Sequence, residues 1–256
     1  TIREYRLLRA FAGVRPTLWQ DARYEDDLSR RHEVFDHAAP GREGVEGFVS
    51  LGGGKLAAYR VMAEETADVV MRKLGMQPGG SGGGRPPAEG CRTHRLALPG
   101  GDATPSAADV AARYGIDRFA AARLIFRHGS RVERLMEECG KQAAARRVVC
   151  RSEPVTEAEI RWCARREWVT SLEDLRRRTR FAEGPCQGIE CVREGARIVG
   201  EELGWSPEER EGQVLRFLDG RWRERYPVLR GRQLAQEELL QGALFGVEGW
   251  DRAGPP

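Results

Sequence analysis

The chain has 256 residues, 40% of them hydrophobic, which is enough for one large domain or two to three small ones and excludes a disordered chain. Its 42 Lys and Arg nearly cancel its 39 Asp and Glu, and a net charge of +3 does not indicate a nucleic-acid-binding protein. No apolar run approaches the ~18 residues of a membrane span, and we recognise no signal peptide. We therefore expect a cytoplasmic protein without a membrane span of its own.

The cysteines are too sparse for a disulfide scaffold, which needs a higher density in a small secreted domain. They fit better as ligands or buried thiols in a reducing compartment. The six are Cys91, Cys139, Cys150, Cys163, Cys186 and Cys191. The sequence does not begin with Met, and Thr1 to Leu8 already read as ordered structure, so we expect a fragment or a split subunit.

Residues 1–54 read as strands and loops. Short strands are predicted at His32 to Phe35 and at Gly47 to Leu51, and a run of three glycines follows the second one. A helix is predicted next, because apolar residues recur at helical spacing until Gly75 supplies a stop. The recurring positions are Tyr59, Met62, Ala63, Thr66, Val70 and Leu74.

The connection between that strand and that helix contains Gly53, Gly54 and Lys55. Glycines let a bulky group approach the backbone, a helix start presents N–H donors, and Lys55 adds a full positive charge. It is not a Walker P-loop, because Leu56 stands where Ser or Thr is required. The spacing leaves two readings open, which are an anion site and a tight connection without a ligand.

Residues 76–104 are rich in Gly, Pro and Ser, which predicts a mobile linker and a domain boundary. Three short helices are predicted beyond it, packed as a small bundle. Thr104 is expected to cap the first, which runs to Arg113. The second spans Asp117 to Arg127 and the third Ser130 to Cys139.

Two capped helices follow Cys150. Thr156 with Glu159 predicts a capping box for a helix that runs to about Trp168, and Ser171 with Asp174 caps the next one. The second helix carries a basic run, which is either a solvated face or a face turned to an anionic cofactor, partner or cluster. The run consists of Arg176, Arg177, Arg178 and Arg180.

A loop from Gly184 to Arg193 then carries two thiols, Cys186 and Cys191, and leads into a helix predicted from about Ile189 to Leu203. A helix start favours thiolates and inorganic sulfide, so the loop suits an anionic metal or cluster site. The alternative is that these thiols are small buried hydrophobic residues.

The chain is predicted to end in two more helices. Ser206 with Pro207 and Glu209 combines a cap, a proline at the first helical position and a capping box. Gln233 to Leu244 is predicted as a last amphipathic helix.

Four blocks of the sequence resemble the C-terminal half of the flavin-dependent glycerol-3-phosphate dehydrogenases, in that family's order and over nearly the whole chain. They are Leu8 to Pro16 with its Gly-Val-Arg-Pro turn, Gly53 to Leu56 with Tyr59 to Glu64, Ser171 to Arg180, and Pro185-Cys186-Gln187-Gly188. The last block is similar to the anaerobic-type large subunit, which carries a module like bacterioferritin-associated ferredoxin (BFD) with a 2Fe–2S cluster.

The resemblance implies an α+β, mostly α fold. Residues 1–75 would be the C-terminal part of an FAD and substrate domain, with strands and one helix. After the linker at 76–104, residues 105–145 would form a helical cap. A BFD-like cysteine module at 146–204 and C-terminal helices at 205–256 would complete the chain.

The resemblance also implies an activity. Sn-glycerol 3-phosphate would be oxidised to dihydroxyacetone phosphate on FAD, with electrons passed towards quinone through partner subunits. Arg15 and Arg30 would hold the substrate and Lys55 would lie beside the substrate and the flavin. Planar guanidinium groups suit a phosphate dianion. The sequence identifies no general base.

Cofactor contacts would come from the glycine–lysine connection and from the thiols. The flavin would meet Gly53, Gly54, Lys55 and Leu56. The cluster would take Cys150, Ser152, Cys186 and Cys191. One implied partner is the FAD-binding half of the dehydrogenase, in the same or another chain. The other is a membrane-anchoring, electron-accepting protein, which would bring the chain to the inner membrane.

Three departures from the family stand out. The sequence contains no dinucleotide fingerprint, so we expect this chain alone to hold FAD weakly or not at all. Ala57 and Ala58 stand where the family has a hydroxyl residue. Ser152 replaces the second thiol of a Cys-x-Cys pair, which leaves a serine ligand, an incomplete cluster or a relic, with Cys163 as another possible ligand.

Two further interpretations remain open on the sequence alone. The chain could be a non-catalytic redox or scaffold module that binds a partner dehydrogenase. The chain could also be a zinc-stabilised helical domain, which is disfavoured because structural zinc sites use closer cysteine pairs.

Overall fold

A computed structural model of the chain describes residues 5, 7–14, 17–21, 23–24, 27–76 and 91–247. The fold is mostly helical, with two small antiparallel sheets of two strands each. This agrees with the predicted α+β, mostly α class. Residues 77–90 of the linker predicted at 76–104 lie outside the described residues.

The chain divides into two compact units. The first, here called the hairpin unit, is Ala12–Leu96. The second, the helical unit, combines Thr1–Phe11 with Ala97–Pro256. The finer predicted boundaries at 105–145, 146–204 and 205–256 remain predictions.

The hairpin unit consists of two strands and one helix. Strands β1 (His32–Asp36) and β2 (Val49–Gly53) pair antiparallel. His37, just after β1, is hydrogen-bonded to Glu43 at 2.8 Å and to Ser50 at 2.7 Å, which ties the hairpin ends together. Helix α1 (Tyr59–Lys73) follows a 3-10 turn at Leu56–Ala58.

The helical unit contains a two-stranded sheet, β3 (Val148–Cys150) with β4 (Val155–Thr156). Its helices are α2 (Ala107–Tyr114), α3 (Arg118–His128), α4 (Val132–Cys139), α5 (Glu157–Arg166), α6 (Leu172–Thr179), α7 (Val192–Leu203), α8 (Pro207–Arg225) and α9 (Gly231–Gln241). Shorter 3-10 turns lie at Gly129–Arg131, Ala143–Arg146 and Tyr226–Val228, and a π-helical turn at Gly242–Val247 ends the described chain.

The core of the helical unit forms around α5, which packs against α4, α6 and α7, while α7 packs against α8. Trp162 on α5, Phe181 after α6 and Phe217 on α8 are almost completely buried. A fully buried side chain of this size contributes roughly 1.5–3 kcal/mol to folding. These contacts give the cysteine-bearing segments a rigid support.

The helix starts show where local sequence decides structure. Ser206 and Glu209 form the predicted reciprocal capping box, with Pro207 at the first helical position. Thr156 caps α5 as predicted, since its side chain accepts a hydrogen bond from the Glu159 N–H. The Glu159 carboxylate, however, does not complete a box, because it lies buried between His128 at 3.2 Å and Arg127 at 3.0 Å.

The predicted cap of α2 is wrong by two residues. Ser106 rather than Thr104 is the N-cap, and its hydroxyl accepts a hydrogen bond from the Asp109 N–H. Among the described residues, no helix is both long and apolar enough to cross a bilayer.

Candidate functional site

A cavity of about 560 Å³ lies in the hairpin unit, between the end of β2 and the start of α1. It is called the cation-lined cavity here. Its walls are Arg30, Gly53, Gly54, Lys55, Leu56, Tyr59 and Met62. Five of these residues are predicted substrate or cofactor contacts, so the structure brings them together. The sixth predicted contact, Arg15, lies outside the described residues.

The two glycines shape the wall of this cavity. Gly53 and Gly54 have φ values of 69° and 90°, which side-chain-bearing residues rarely adopt. A Cβ on Gly53 would lie 2.5 Å from the Arg31 carbonyl oxygen, and one on Gly54 would lie 2.6 Å from the Met62 methyl group. The Gly54 N–H donates to that same Arg31 oxygen at 3.2 Å. The turn therefore requires glycine for both conformation and space.

Lys55 directly precedes the 3-10 turn, and α1 begins four positions later. The Ala58 N–H donates to the Lys55 carbonyl oxygen at 2.9 Å, so this donor is already used within the turn. Ala57 and Ala58 bring no side-chain donor, as expected from the sequence. The cationic groups of Arg30 and Lys55 are therefore the main polar side chains on the wall, beside the Tyr59 phenol.

None of the described residues that line this cavity is acidic. Two cationic side chains that line one cavity favour an anionic ligand. Tyr59 and Met62 were not predicted as contacts. The sequence could have indicated both, since they lie on the first turn of the helix predicted after Lys55.

A second cavity, of about 460 Å³, lies in the helical unit and is called the thiol cavity. All four predicted ligands, Cys150, Ser152, Cys186 and Cys191, line it. The other lining residues are Arg147, Val148, Val149, Arg151, Glu190 and Glu194. The sequence analysis did not anticipate the two carboxylates.

Strand β3 ends at Cys150, and Cys191 is the N-cap residue of α7. The helix begins at Val192, three positions after the predicted start at Ile189. Gly184 packs so closely against Ser152 that a Cβ there would lie 2.1 Å from the Ser152 Cβ. The loop between the thiols contains buried Gln187, whose φ is 52°. The close packing fixes the loop against β3.

We expect Gly188→Ala to destabilise the helical unit by about 2–4 kcal/mol. Gly188 has a φ of +92°, and a Cβ would lie 2.8 Å from the buried Phe217 ring and 3.0 Å from the Ala182 Cβ. Denaturant unfolding followed by circular dichroism measures the loss. Gly220→Ala is the matched control, since a Cβ there meets nothing within 4 Å and the change should be neutral or stabilising. Equal stability of both variants would contradict the described loop packing.

Two of the thiols interact directly. The Cys191 thiol donates a hydrogen bond that lowers the pKa of Cys150 to about 6, and backbone N–H groups add to the effect. The same hydrogen bond, together with burial, raises the pKa of Cys191. The pair thus favours a thiolate at Cys150 and a protonated thiol at Cys191.

The donor set fits a cluster incompletely. In the described part of the chain, no group of three or more His, Cys, Asp or Glu side chains is arranged to hold a metal ion. Ser152 supplies a hydroxyl where a thiolate would be softer, and Glu190 and Glu194 add negative charge to the same cavity. Cys163, considered as another ligand, is fully buried, does not line the cavity and has a pKa raised well above its ordinary value by burial.

The basic run of α6 is largely paired within the helical unit. Arg176 is buried and bonds to Glu173 at 2.9 Å and Glu183 at 2.5 Å. Arg177 donates to Asp174 at 2.7 Å and lowers the pKa of that carboxyl to about 2. None of the four arginines is among the described residues that line the thiol cavity.

Comparisons with known proteins agree with the resemblance. Residues 91–210 match the family described as the C-terminal domain of alpha-glycerophosphate oxidase. The chain is 32% identical to a subunit of the anaerobic glycerol-3-phosphate dehydrogenase of Haemophilus influenzae, over 100% of this chain and 42% of the relative. It is 35% identical to the subunit of the same name from Escherichia coli K12, over 96% of this chain and 43% of the relative.

A more distant relative, glycerol-3-phosphate dehydrogenase 2 of Mycobacterium tuberculosis H37Rv, is 27% identical over 81% of this chain and 34% of its own length. The chain thus spans less than half the length of the curated relatives it matches. Both kinds of comparison point in the same direction. The chain is similar to the C-terminal domain of alpha-glycerophosphate oxidase and to parts of glycerol-3-phosphate dehydrogenases.

Proposed function

We propose that this chain is the substrate-binding C-terminal part of a flavin-dependent glycerol-3-phosphate dehydrogenase. The enzyme would oxidise sn-glycerol 3-phosphate to dihydroxyacetone phosphate and pass the electrons towards quinone. FAD would be held mainly by the part of the relatives that has no counterpart in these 256 residues, and it would supply the acceptor for the hydride that leaves C2. The observation that carries the proposal is the cation-lined cavity, where Arg30 and Lys55 share one wall.

Arg30 would bind the phosphate, because a guanidinium group donates two parallel hydrogen bonds to phosphate oxygens. Arg15 is proposed as a second contact to the same group. Lys55 would lie beside the C2 oxygen and the flavin, where its charge stabilises the negative charge that develops during hydride transfer. At about 560 Å³ the cavity has the size of ordinary ligand pockets.

The exposure of the hairpin unit supports a further protein part at this place. No side chain of α1, which the structure describes in full, is buried. Leu56 is 89% exposed, and Tyr59 and Leu74 are each 62% exposed. Exposed apolar side chains at both ends of a helix with no buried face suit a contact with a partner. The proposed partner is the flavin-binding part of the dehydrogenase.

Reassembly tests the proposal. The chain is mixed with the part of the Haemophilus influenzae relative that it does not cover, in the presence of FAD. Glycerol 3-phosphate oxidation is followed with an artificial electron acceptor. We expect turnover from the mixture and none from either part alone. A complex that forms and holds FAD but does not turn over would reject the catalytic proposal and favour the alternative, a non-catalytic redox or scaffold module.

We further propose that the thiol cavity is a 2Fe–2S site, with Cys150, Cys186 and Cys191 as sulfur ligands and Ser152 as the fourth. Support comes from the common cavity and from the thiolate favoured at Cys150. Such a cluster would relay electrons from the flavin towards the acceptor. Because the fourth donor is a hydroxyl, we expect low occupancy in the unmodified chain.

Ser152→Cys is expected to raise the iron content towards about two atoms per chain after anaerobic reconstitution, because thiolate is the softer iron ligand. Iron and sulfide analysis with visible absorption measures the change. Ser130→Cys, which adds a thiol outside the cavity, should leave the iron content unchanged. Iron below about half an equivalent in both variants and in the unmodified chain would remove the cluster from the proposal.

The first two relatives are each named as one subunit of an anaerobic dehydrogenase, which points to further subunits. We propose that the partner is an electron-accepting, membrane-anchoring protein, which would hold this otherwise cytoplasmic chain at the inner membrane. Co-purification of the chain with membranes only when that partner is co-expressed would support this location.

A further inference from the structure

The N-terminal segment belongs to the helical unit rather than to the hairpin unit that follows it in sequence. Residues Thr1–Phe11 group with Ala97–Pro256, whereas the second unit begins at Ala12. The described residues of this segment, 5 and 7–11, have neither helical nor strand structure. Their contacts with α8, α9 and the turn after α6 therefore explain the grouping.

Gln233 on α9 binds the main chain of this segment with both ends of its side-chain amide. Its Oε1 accepts a hydrogen bond from the Leu7 N–H at 3.1 Å, and its Nε2 donates to the Tyr5 carbonyl oxygen at 2.8 Å. The two bonds hold the main chain at two positions that are two residues apart. Gln233 thus contacts the backbone of the segment through both of its amide atoms.

The side chain of Leu7 makes the second contact with the helical unit. It lines a small cavity of about 40 Å³ whose walls are Arg225, Leu229, Gln233, Gln236, Glu237 and Leu240. Arg225 and Glu237 form a buried two-bond ion pair, at 2.8 and 2.6 Å, that fixes α8 against α9. The ion pair therefore fixes the two helices whose residues line this cavity together with Leu7.

The third element is electrostatic. The helices and the turn after α6 bring together three carboxylates and two guanidinium groups, which are Glu173, Glu183, Glu224, Arg176 and Arg221. This cluster has one negative charge in excess. Arg9 supplies the missing positive charge, since its guanidinium lies 3.4 Å from Glu183 and 3.4 Å from Glu224. The negative charge of this cluster is therefore complementary to Arg9, which lies two positions after Leu7.

We propose that α8, α9 and the turn after α6 form a peptide-docking groove for a segment with an apolar residue followed two positions later by arginine. Its occupant is the N-terminal segment of this chain, which contacts the groove through Tyr5, Leu7 and Arg9. The groove anchors the segment that precedes the hairpin unit in sequence. The inference does not depend on the proposed enzymatic activity.

Hydrogen–deuterium exchange on the full chain tests the main-chain contact. The Leu7 amide should exchange slowly in the unmodified protein and at least about tenfold faster in Gln233→Leu, because the acceptor is gone. Gln236→Leu is the matched control, since Gln236 lines the same pocket without a described bond to the segment. Thermal unfolding shows whether both variants keep a folded helical unit.

A labelled peptide of residues 1–11 tests the groove itself. It should bind a full chain that carries Leu7→Asp with Arg9→Glu, whose own segment no longer fits, and not the unmodified chain, whose groove is filled. Adding Gln233→Leu to that variant should abolish binding. Fast Leu7 exchange already in the unmodified protein, or peptide binding that ignores these substitutions, would overturn the proposal.

Discussion

Replacing Lys55 by alanine is expected to lower the turnover of the reassembled enzyme on the order of tenfold or more. Lys55 is a cationic group on the wall of the cation-lined cavity, beside two glycines whose conformation leaves room for a ligand. An ammonium placed where negative charge develops stabilises the transition state more than the bound substrate, so the loss should appear in kcat. Steady-state oxidation of glycerol 3-phosphate measures it.

The matched control is Lys141→Ala. Lys141 is exposed in the helical unit and does not line the cation-lined cavity, so its loss should leave the rate unchanged. If Lys55→Ala turned over at the rate of the unmodified enzyme, Lys55 would be an ordinary surface residue and the proposed catalytic role would be wrong.

Arg30→Ala is expected to reduce kcat/KM for glycerol 3-phosphate by about 10- to 100-fold. The basis is that hydrogen bonds to a charged group are worth about 1.5–3 kcal/mol. The phosphate is distant from the reacting carbon, so most of the loss should appear as a higher KM. Glycerol, which has no phosphate, should be oxidised equally poorly by both proteins.

Arg31→Ala is a close control for this experiment. Arg31 is the next residue and is exposed, but its contribution to the site is its backbone oxygen, which the substitution preserves. A loss of the same size in both variants would show that general positive charge, rather than a contact from Arg30, attracts the substrate.

Local sequence predicted the parts of the fold that local chemistry decides. The Ser206 cap with Pro207 and Glu209 is one such case, because all its partners lie within four residues. The start of α2 shows the limit. Thr104 and Ser106 both offer a capping hydroxyl, and the structure uses the one that reaches the Asp109 N–H. Two equivalent local solutions cannot be separated without the packing around them.

Tertiary contacts explain what the sequence did not predict. The Glu159 side chain would complete a capping box in isolation, but it is drawn into a buried cluster with Arg127 and His128. Similarly, Leu7 and Gln233 are 226 positions apart, so no periodicity in the sequence could indicate their hydrogen bond. Contacts of this kind depend on the whole helical unit.

The candidate sites were predicted in part by chemistry and in part by resemblance. Glycines followed by Lys55 indicated a possible anion site from physical reasoning, and the structure places them on one cavity wall. The inclusion of Arg30 rested on resemblance, since nothing in its local spacing links it to Lys55. The carboxylates Glu190 and Glu194 in the thiol cavity were missed because they read as an ordinary helix start.

The most direct test is a structure of the reassembled complex with glycerol 3-phosphate bound. The account predicts phosphate oxygens within hydrogen-bond distance of the Arg30 guanidinium and the C2 oxygen next to the Lys55 ammonium, with Arg15 contacting the same ester. An ester bound elsewhere, with Arg30 and Lys55 both facing solvent, would contradict it.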